Sequence, residues 1–406
     1  MTNYNTIEVE DEYLVSFYKK KPLSIERGSG VIVWDETGNE YIDFTSGWAV
    51  TSLGHSHPVI VNALSEQGKK IIHNPNGGMT YSPARAAVLL SLKKILPGHL
   101  KKVFFTNSGS EANDAAIKLA RKITGRKKIV SALKSFHGRT IGTVSATGQS
   151  SHRDRFNVLL PYYEFVKFND AFELENAIDS DTAAVIVEPI QGEGGVLIPD
   201  TDYLRKVSEI CKKNGTLLIV DEIQTGFFRT GPAFISSGEG VFVDFLTMAK
   251  GIAGGYPFGA VAVSAAVASE IEFGDHGGTY IGNPLGCAIA EAVIEHMVNT
   301  NIGAHVRMLG DMAIDTLNQW KCSSPHLIVD VRGRGLLLAV EFSNDVCASA
   351  VVEESFKKGL ILNQIQGSIV RIFPALTITY EEMVRGLSII REAIQTVMEQ
   401  RLNIIA

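Results

Sequence analysis

The chain has 406 residues, 45% hydrophobic and 20% charged, which describes a globular protein with material for a large core. A formal charge of −6 and a pI near 6.0 give no support for binding nucleic acid or an anionic membrane. The four cysteines (Cys211, Cys287, Cys322, Cys347) form no CxxC pair, which removes the common zinc and thioredoxin patterns and points to reduced thiols in the cytoplasm. Met1 to Glu12 carries no apolar signal segment, and no apolar run approaches bilayer length.

In chain order, Val31–Trp34 and Glu40–Asp43 flank the turn-forming Asp35-Glu36-Thr37-Gly38 and read as a hairpin. Candidate strands follow at Lys102–Phe105, Lys128–Ala132, Ala183–Val187, Leu217–Val220, Phe242–Thr247 and Ala260–Val263. Between them lie amphipathic segments such as Glu111–Lys122 and Tyr203–Asn214. This alternation predicts an α/β fold with a mostly parallel central sheet covered by helices on both faces. Beyond about residue 296 come a long helix, strands at Leu336–Phe342 and Ile369–Phe373, and a C-terminal helix from Tyr380. The expected division is 1–60 as part of a smaller α+β domain, 61–295 as the large domain, and 296–406 completing the smaller one.

The motifs follow strand ends, where ligands bind in such sheets. Asn107-Ser108-Gly109-Ser110-Glu111-Ala112-Asn113 lies between a strand and a helix. Its free amides and helix dipole suit a phosphate, although Ser108 or Ser110 could simply cap the helix. In Ser135-Phe136-His137-Gly138-Arg139, the aromatic could stack on a ring and Arg139 could fork onto a carboxylate; a core phenylalanine beside a surface arginine is the plainer alternative. Glu188 and Glu193, on the glycine-rich loop Glu188–Gly195, suit hydrogen-bonding partners such as Gln224 or an arginine better than a metal cage. Arg371 is a plausible partner, against the alternative of a surface charge on a strand. The histidines lack zinc-ligand spacing, so no metal is expected, and no GxSxG elbow supports a serine nucleophile.

Lys250 and Asp221 are the most informative pair. Each stands where a buried run stops: Leu217–Val220 before Asp221, and Phe242–Ala249 before Lys250 and its glycine-rich sequel. A lysine forms a Schiff base with an aldehyde, and a carboxylate pairs with a protonated ring nitrogen. Together they are the wiring that pyridoxal 5′-phosphate (PLP) requires.

With Leu53-Gly54-His55-Ser56-His57-Pro58, Asp221-Glu222-Ile223-Gln224-Thr225-Gly226, Lys250 and Gly277-Gly278-Thr279-Tyr280-Ile281-Gly282-Asn283-Pro284, the chain resembles the class III PLP-dependent aminotransferases of fold type I over almost its whole length. It is most similar to the acetylornithine and ornithine aminotransferase branch. The resemblance implies that Lys250 carries the cofactor and, once released, moves a proton, while Asp221 keeps the pyridine nitrogen protonated. It implies that Gln224, supported by Glu188, contacts the cofactor's 3′-oxygen, and that Ile223 and Phe136 sandwich the ring. Ser108, Gly109, Ser110 and His137 would complete the cofactor site, with Thr279 from the other subunit of a homodimer.

For substrates it implies an amino donor and a 2-oxo acid acceptor. Arg139 would grip one carboxylate, Arg371 a second, and Glu193 would cover Arg371 when the donor lacks that second carboxylate. Trp48, the loop Asn76–Tyr81, Asp114 and Gly278 depart from the usual acetylornithine pattern, and Trp48 would reshape the substrate pocket. An aminomutase or amino-acid racemase on the same scaffold is the alternative within enzymes. A non-catalytic PLP-binding protein is the alternative outside them.

Overall fold

The computed structural model describes residues 5–238 and 240–405, with 400–405 as backbone alone; positions 1–4, 239 and 406 of the expected division lie outside the described residues. The strands are β1 (Ile25–Ser29), β2 (Ile32–Asp35), β3 (Glu40–Asp43), β4 (Leu100–Thr106), β5 (Lys128–Ala132), β6 (Tyr163–Val166), β7 (Thr182–Val187), β8 (Leu217–Asp221), β9 (Phe245–Met248), β10 (Gly259–Ser264), β11 (Ile328–Arg334), β12 (Leu337–Phe342), β13 (Leu360–Ile361), β14 (Asn363–Ile365) and β15 (Ile369–Ile372). The central sheet has seven, in the order β4-β10-β9-β8-β7-β5-β6. From β6 to β9 the pairing is parallel, and β10 runs antiparallel to both its neighbours.

Side-chain alternation explains why this sheet is buried on both faces. Every residue of β7 is buried: Val185 and Val187 join one core, Ala184 and Ile186 the other. The helix Gly109–Thr124 covers the second core with Ala112, Ala115, Ala116, Leu119 and Ala120, small enough to bring its axis close to the sheet. Its first turn therefore stands rigidly over the end of β4.

Two smaller sheets complete the architecture, β1-β2-β3-β13 and β11-β12-β15-β14. The first joins distant parts of the chain, because β13 pairs in parallel with β3 of the N-terminal hairpin. In the second, β15 lies between β12 and β14.

One local expectation is corrected, and one strand is added to those read from the sequence. The strand expected from Phe242 begins at Phe245, because the Ser208 hydroxyl bonds both the amide and the carbonyl of Phe242 and removes them from the ladder. The β6 edge strand, half exposed and charged, was not anticipated. The long helix expected beyond about residue 296 is Ile302–Ser323; a separate helix, Pro284–Asn299, precedes it, and Asn301 turns left-handed at φ 49° between them. Among the described residues no helix is long and apolar enough to cross a membrane.

Phe245 is fully buried in β9, five residues before Lys250. Phe245→Ala should cost about 3–5 kcal/mol, read as a lower denaturant midpoint at unchanged slope. A midpoint equal to that of the unaltered protein would contradict this placement.

Candidate active site

Five strand ends converge on one cavity of about 360 Å³. β4 delivers Asn107 to Ser110, β5 Phe136 to Arg139, β7 Glu188 and Glu193, β8 Asp221, Ile223 and Gln224, and β9 Lys250. Of the residues singled out in the sequence, Ser108, Gly109, Ser110, Phe136, His137, Arg139, Glu188, Glu193, Asp221, Ile223, Gln224 and Lys250 all line it. Trp48, Thr279 and Arg371 do not.

Trp48 is 48% exposed and lies edge-on to Tyr18. It sits in a left-handed turn over Ser46–Ala49 (φ 41°, 59°, 64° and 64°), and Val50 reaches the cavity wall instead. Such a turn is costly for non-glycine residues. It is held by Asp43, whose Oδ1 accepts from the Thr45 and Ser46 amides, and by the Ser46 hydroxyl donating to the Phe373 carbonyl at 2.7 Å.

Asp221 is 4% exposed and held from three sides. Its Oδ2 accepts from Asn113 Nδ2 at 2.7 Å and bonds His137 Nδ1 at 2.8 Å, while Oδ1 accepts from the Ile223 amide at 3.0 Å. Asn113 is fixed in turn: it donates also to the His137 carbonyl and accepts from Thr247 on β9. The neighbouring Glu222 is equally buried but structural. Ser236 donates to it from both amide and hydroxyl, and Thr225 from its hydroxyl.

Lys250 adopts φ 45°, a strained conformation for a side-chain-bearing residue, at the start of the tight turn Lys250–Ala253. Burial pushes its ammonium below the ordinary value. Arg371 adds to this, while Glu193, Asp221 and Glu188 pull the other way. Glu188 is pushed well above the usual carboxyl range, first by burial and then by Asp221, with the Phe136 amide offsetting only part. That amide donates to Glu188 Oε2 at 3.0 Å, so Glu188 steadies Phe136 rather than Gln224 as expected. For Glu193, burial pushes upward, but Arg371 and Lys250 outweigh it and hold the carboxyl below its ordinary value. Glu193 Oε1 accepts from Arg371 Nη1 at 2.7 Å, and Arg371 itself is wholly buried behind the cavity wall.

These residues fit PLP. The first turn of helix Gly109–Thr124 presents its amides and positive dipole end to the cavity, where a phosphate is favoured. Gly109 is required there: a Cβ would lie 2.7 Å from Ile223 Cδ1, closing the space between the cradle and the Ile223 side chain. Gln224 Nε2 and His137 Nε2 are buried with no protein partner. Ser110 Oγ accepts from the Arg139 amide at 3.0 Å, tying the cradle to the arginine loop. Among the described residues no group of three or more His, Cys, Asp or Glu could hold a metal ion.

Sequence reasoning placed Asn113 in the phosphate-loop motif without its role beside Asp221, and missed Thr247, Val50 and the Tyr256-Pro257-Phe258 wall. Only Asn113 carried a signal: a polar residue one turn beyond Gly109, inside an otherwise alanine-rich helix face.

The Aminotransferase class-III family model matches residues 16–394. The chain is 41% identical over 396 residues to an acetylornithine aminotransferase of Methanothermobacter thermautotrophicus, covering 97% of this chain and 99% of that one. Its structure resembles the ornithine aminotransferase of Toxoplasma gondii, solved with PLP at partial occupancy in the active site: TM-score 0.92, 32% identity, covering 97% of this chain and 95% of that one. It also resembles the acetylornithine aminotransferase of Elizabethkingia anophelis, with TM-score 0.84, 32% identity, and coverage of 96% and 98%.

Because burial holds Lys250 below its ordinary value, its neutral amine is populated at lower pH than that of a lysine in water. Competitive acylation of the cofactor-free protein, followed by peptide mapping, should show Lys250 reacting with a half-point at lower pH than exposed lysines. Coincident profiles would contradict the depression.

Proposed function

The chain belongs to the class-III aminotransferase family and depends on PLP, and from there we propose that it moves an amino group from acetylornithine, ornithine or another ω-amino donor to 2-oxoglutarate in a ping-pong cycle. The observation that carries this reading is the 2.7 Å pair between Glu193 and the buried Arg371, beside Lys250. The isomerase and non-catalytic alternatives gain no support from the relatives, which are named aminotransferases.

When bound, PLP supplies an aldehyde that condenses with amines and a cationic ring that takes up electrons released at the substrate's Cα. Lys250 Nζ would accept and return the proton at that carbon, and burial, by holding its ammonium below the ordinary value, favours the amine that accepts it. Asp221, positioned by His137 and Asn113, would pair with the ring nitrogen. Gly109 and Ser110, with Ser108 capping the helix, would hold the phosphate. Phe136 and Ile223, which line the cavity, would flank the ring, and Gln224, whose Nε2 has no protein partner, would contact the ring oxygen.

Arg139, exposed at the cavity mouth and stacked 5.5 Å from the Phe136 ring, takes the substrate's α-side carboxylate. Glu193 neutralises Arg371 toward a donor without a second carboxylate and leaves it free for 2-oxoglutarate.

The proposal extends to a homodimer in the cytoplasm, with the division 1–60, 61–295 and 296–406. Thr279 lies outside this chain's own cavity, against the loop holding Gly77, so it is available to complete the phosphate site of a second copy. Met79 and Tyr81 on that loop are 90% and 103% exposed, an apolar surface that a partner copy would cover. Four free thiols support the location.

Two measurements test the reading. With a panel of amines and 2-oxoglutarate, glutamate should form from an ω-amino donor. Lys250→Ala should lower turnover by at least about 10²–10⁴-fold, and Glu193→Gln should raise KM for the donor while lowering it for 2-oxoglutarate. Full activity in Lys250→Ala sinks the proposal. Light scattering on a sizing column should give twice the 44.1 kDa chain mass; a monomer that retains full activity would remove the shared site.

A further inference from the structure

We propose that Asn363 is the positioning residue that fixes Arg371 through a neutral acceptor, so that the arginine's charge toward a substrate carboxylate is set by Glu193 alone. This rests on the reading of Arg371 given above. Asn363 on β14 faces Arg371 on β15 in direct register. Its Oδ1 accepts from both Nε and Nη2 of the guanidinium, at 2.9 and 2.6 Å. The remaining nitrogen, Nη1, meets Glu193 at 2.7 Å, with a longer contact of 3.5 Å to Gln224 Oε1. The Phe373 ring supports the guanidinium 4.6 Å from its centre.

A guanidinium donates five N–H bonds and accepts none, so the group facing its Nε–Nη2 edge has to be an acceptor. A carboxylate is the strongest partner for that edge. A carboxylate there would also cancel the cation permanently, since nothing in the buried strand pair could move it away. The asparagine oxygen satisfies the same two donors without adding charge.

Mobility is thereby divided between the two partners. Arg371 has no exposed side-chain surface and is pinned in the sheet, whereas the Glu193 side chain is 25% exposed on a loop. When Glu193 leaves, Arg371 keeps its place and presents an uncompensated positive charge. An incoming second carboxylate takes up the same Nη1. When Glu193 returns, the site is neutral again.

Two variants of the holoenzyme separate position from charge. Asn363→Asp keeps the acceptor but adds a negative charge; Asn363→Leu keeps the bulk but removes the acceptor. The probes are the half-reactions of glutamate and N-acetylornithine, followed by cofactor absorbance, and competitive inhibition by glutarate, a dicarboxylate with no reacting group. Asn363→Asp should raise KM for glutamate and Ki for glutarate by about tenfold or more, with kcat and the N-acetylornithine KM changed by less than about threefold. Asn363→Leu should raise the glutamate KM and lower kcat together, because the guanidinium is no longer held.

A uniform loss for both substrates in both variants would mark Asn363 as merely structural and overturn the proposal. So would an unchanged glutarate Ki in Asn363→Asp. Arg371→Ala serves as reference. If it leaves the glutamate KM unaltered, the reading of Arg371 fails and this inference with it; if it raises that KM while both Asn363 variants do not, only this inference fails. Should Asn363→Asp not fold, the KM–kcat pattern of Asn363→Leu still decides.

Discussion

Charges taken out of water must find partners, and this site gathers more of them than a protein interior ordinarily holds. Glu188, Glu193, Asp221, Lys250 and Arg371 act on one another in a single desolvated cluster. An isolated buried ion is costly enough that it sheds its charge or acquires a partner. Both outcomes occur. Glu188 is pushed toward its neutral acid, while Glu193 is held ionised by Arg371. The cluster thus holds one buried carboxyl displaced toward its neutral form and keeps another displaced toward its ionised form against a buried cation.

The sheet supplies the rigidity that makes this tolerable. Because β5, β7, β8 and β9 are parallel and buried on both faces, their carboxyl ends present loops from one side at fixed spacing. Asp221 and Glu222 show how finely position acts. They are adjacent, alike in chemistry and both buried. Asp221 faces the cavity between His137 and Asn113, and Glu222 points back into hydroxyls and an amide that satisfy it permanently. The two-residue period of the strand, carried one step past its end, separates a proposed cofactor contact from a structural acid.

Much of this was legible from local chemistry. The β7 and β8 runs are unbroken stretches of aliphatic residues, which only strands covered on both faces require, and the helix Tyr203–Asn214 was bounded by its own amphipathic pattern. The capping sequence Ser108-Gly109-Ser110-Glu111 announced a helix start, and Ser108 does accept from the Glu111 amide. Less was legible where partners are remote in sequence. The early end of the strand read from Phe242 depends on Ser208, and the support expected of Glu188 for Gln224 went instead to the Phe136 amide.

The sequence by itself determined which chemical groups stand at strand ends: an amine at 250, a carboxylate at 221, helix amides at 109 and 110. Hydrophobic periodicity is local, and so are the residues that interrupt it. Only the tertiary structure decided which of these groups share solvent-free space. Arg371 is joined to Glu193 across 178 positions, and Asp221 to Asn113 across 108. Whether a charge is paired depends on distances of a few ångströms that no spacing along the chain encodes. The same holds for Asn363, whose role exists only because β14 and β15 lie in register.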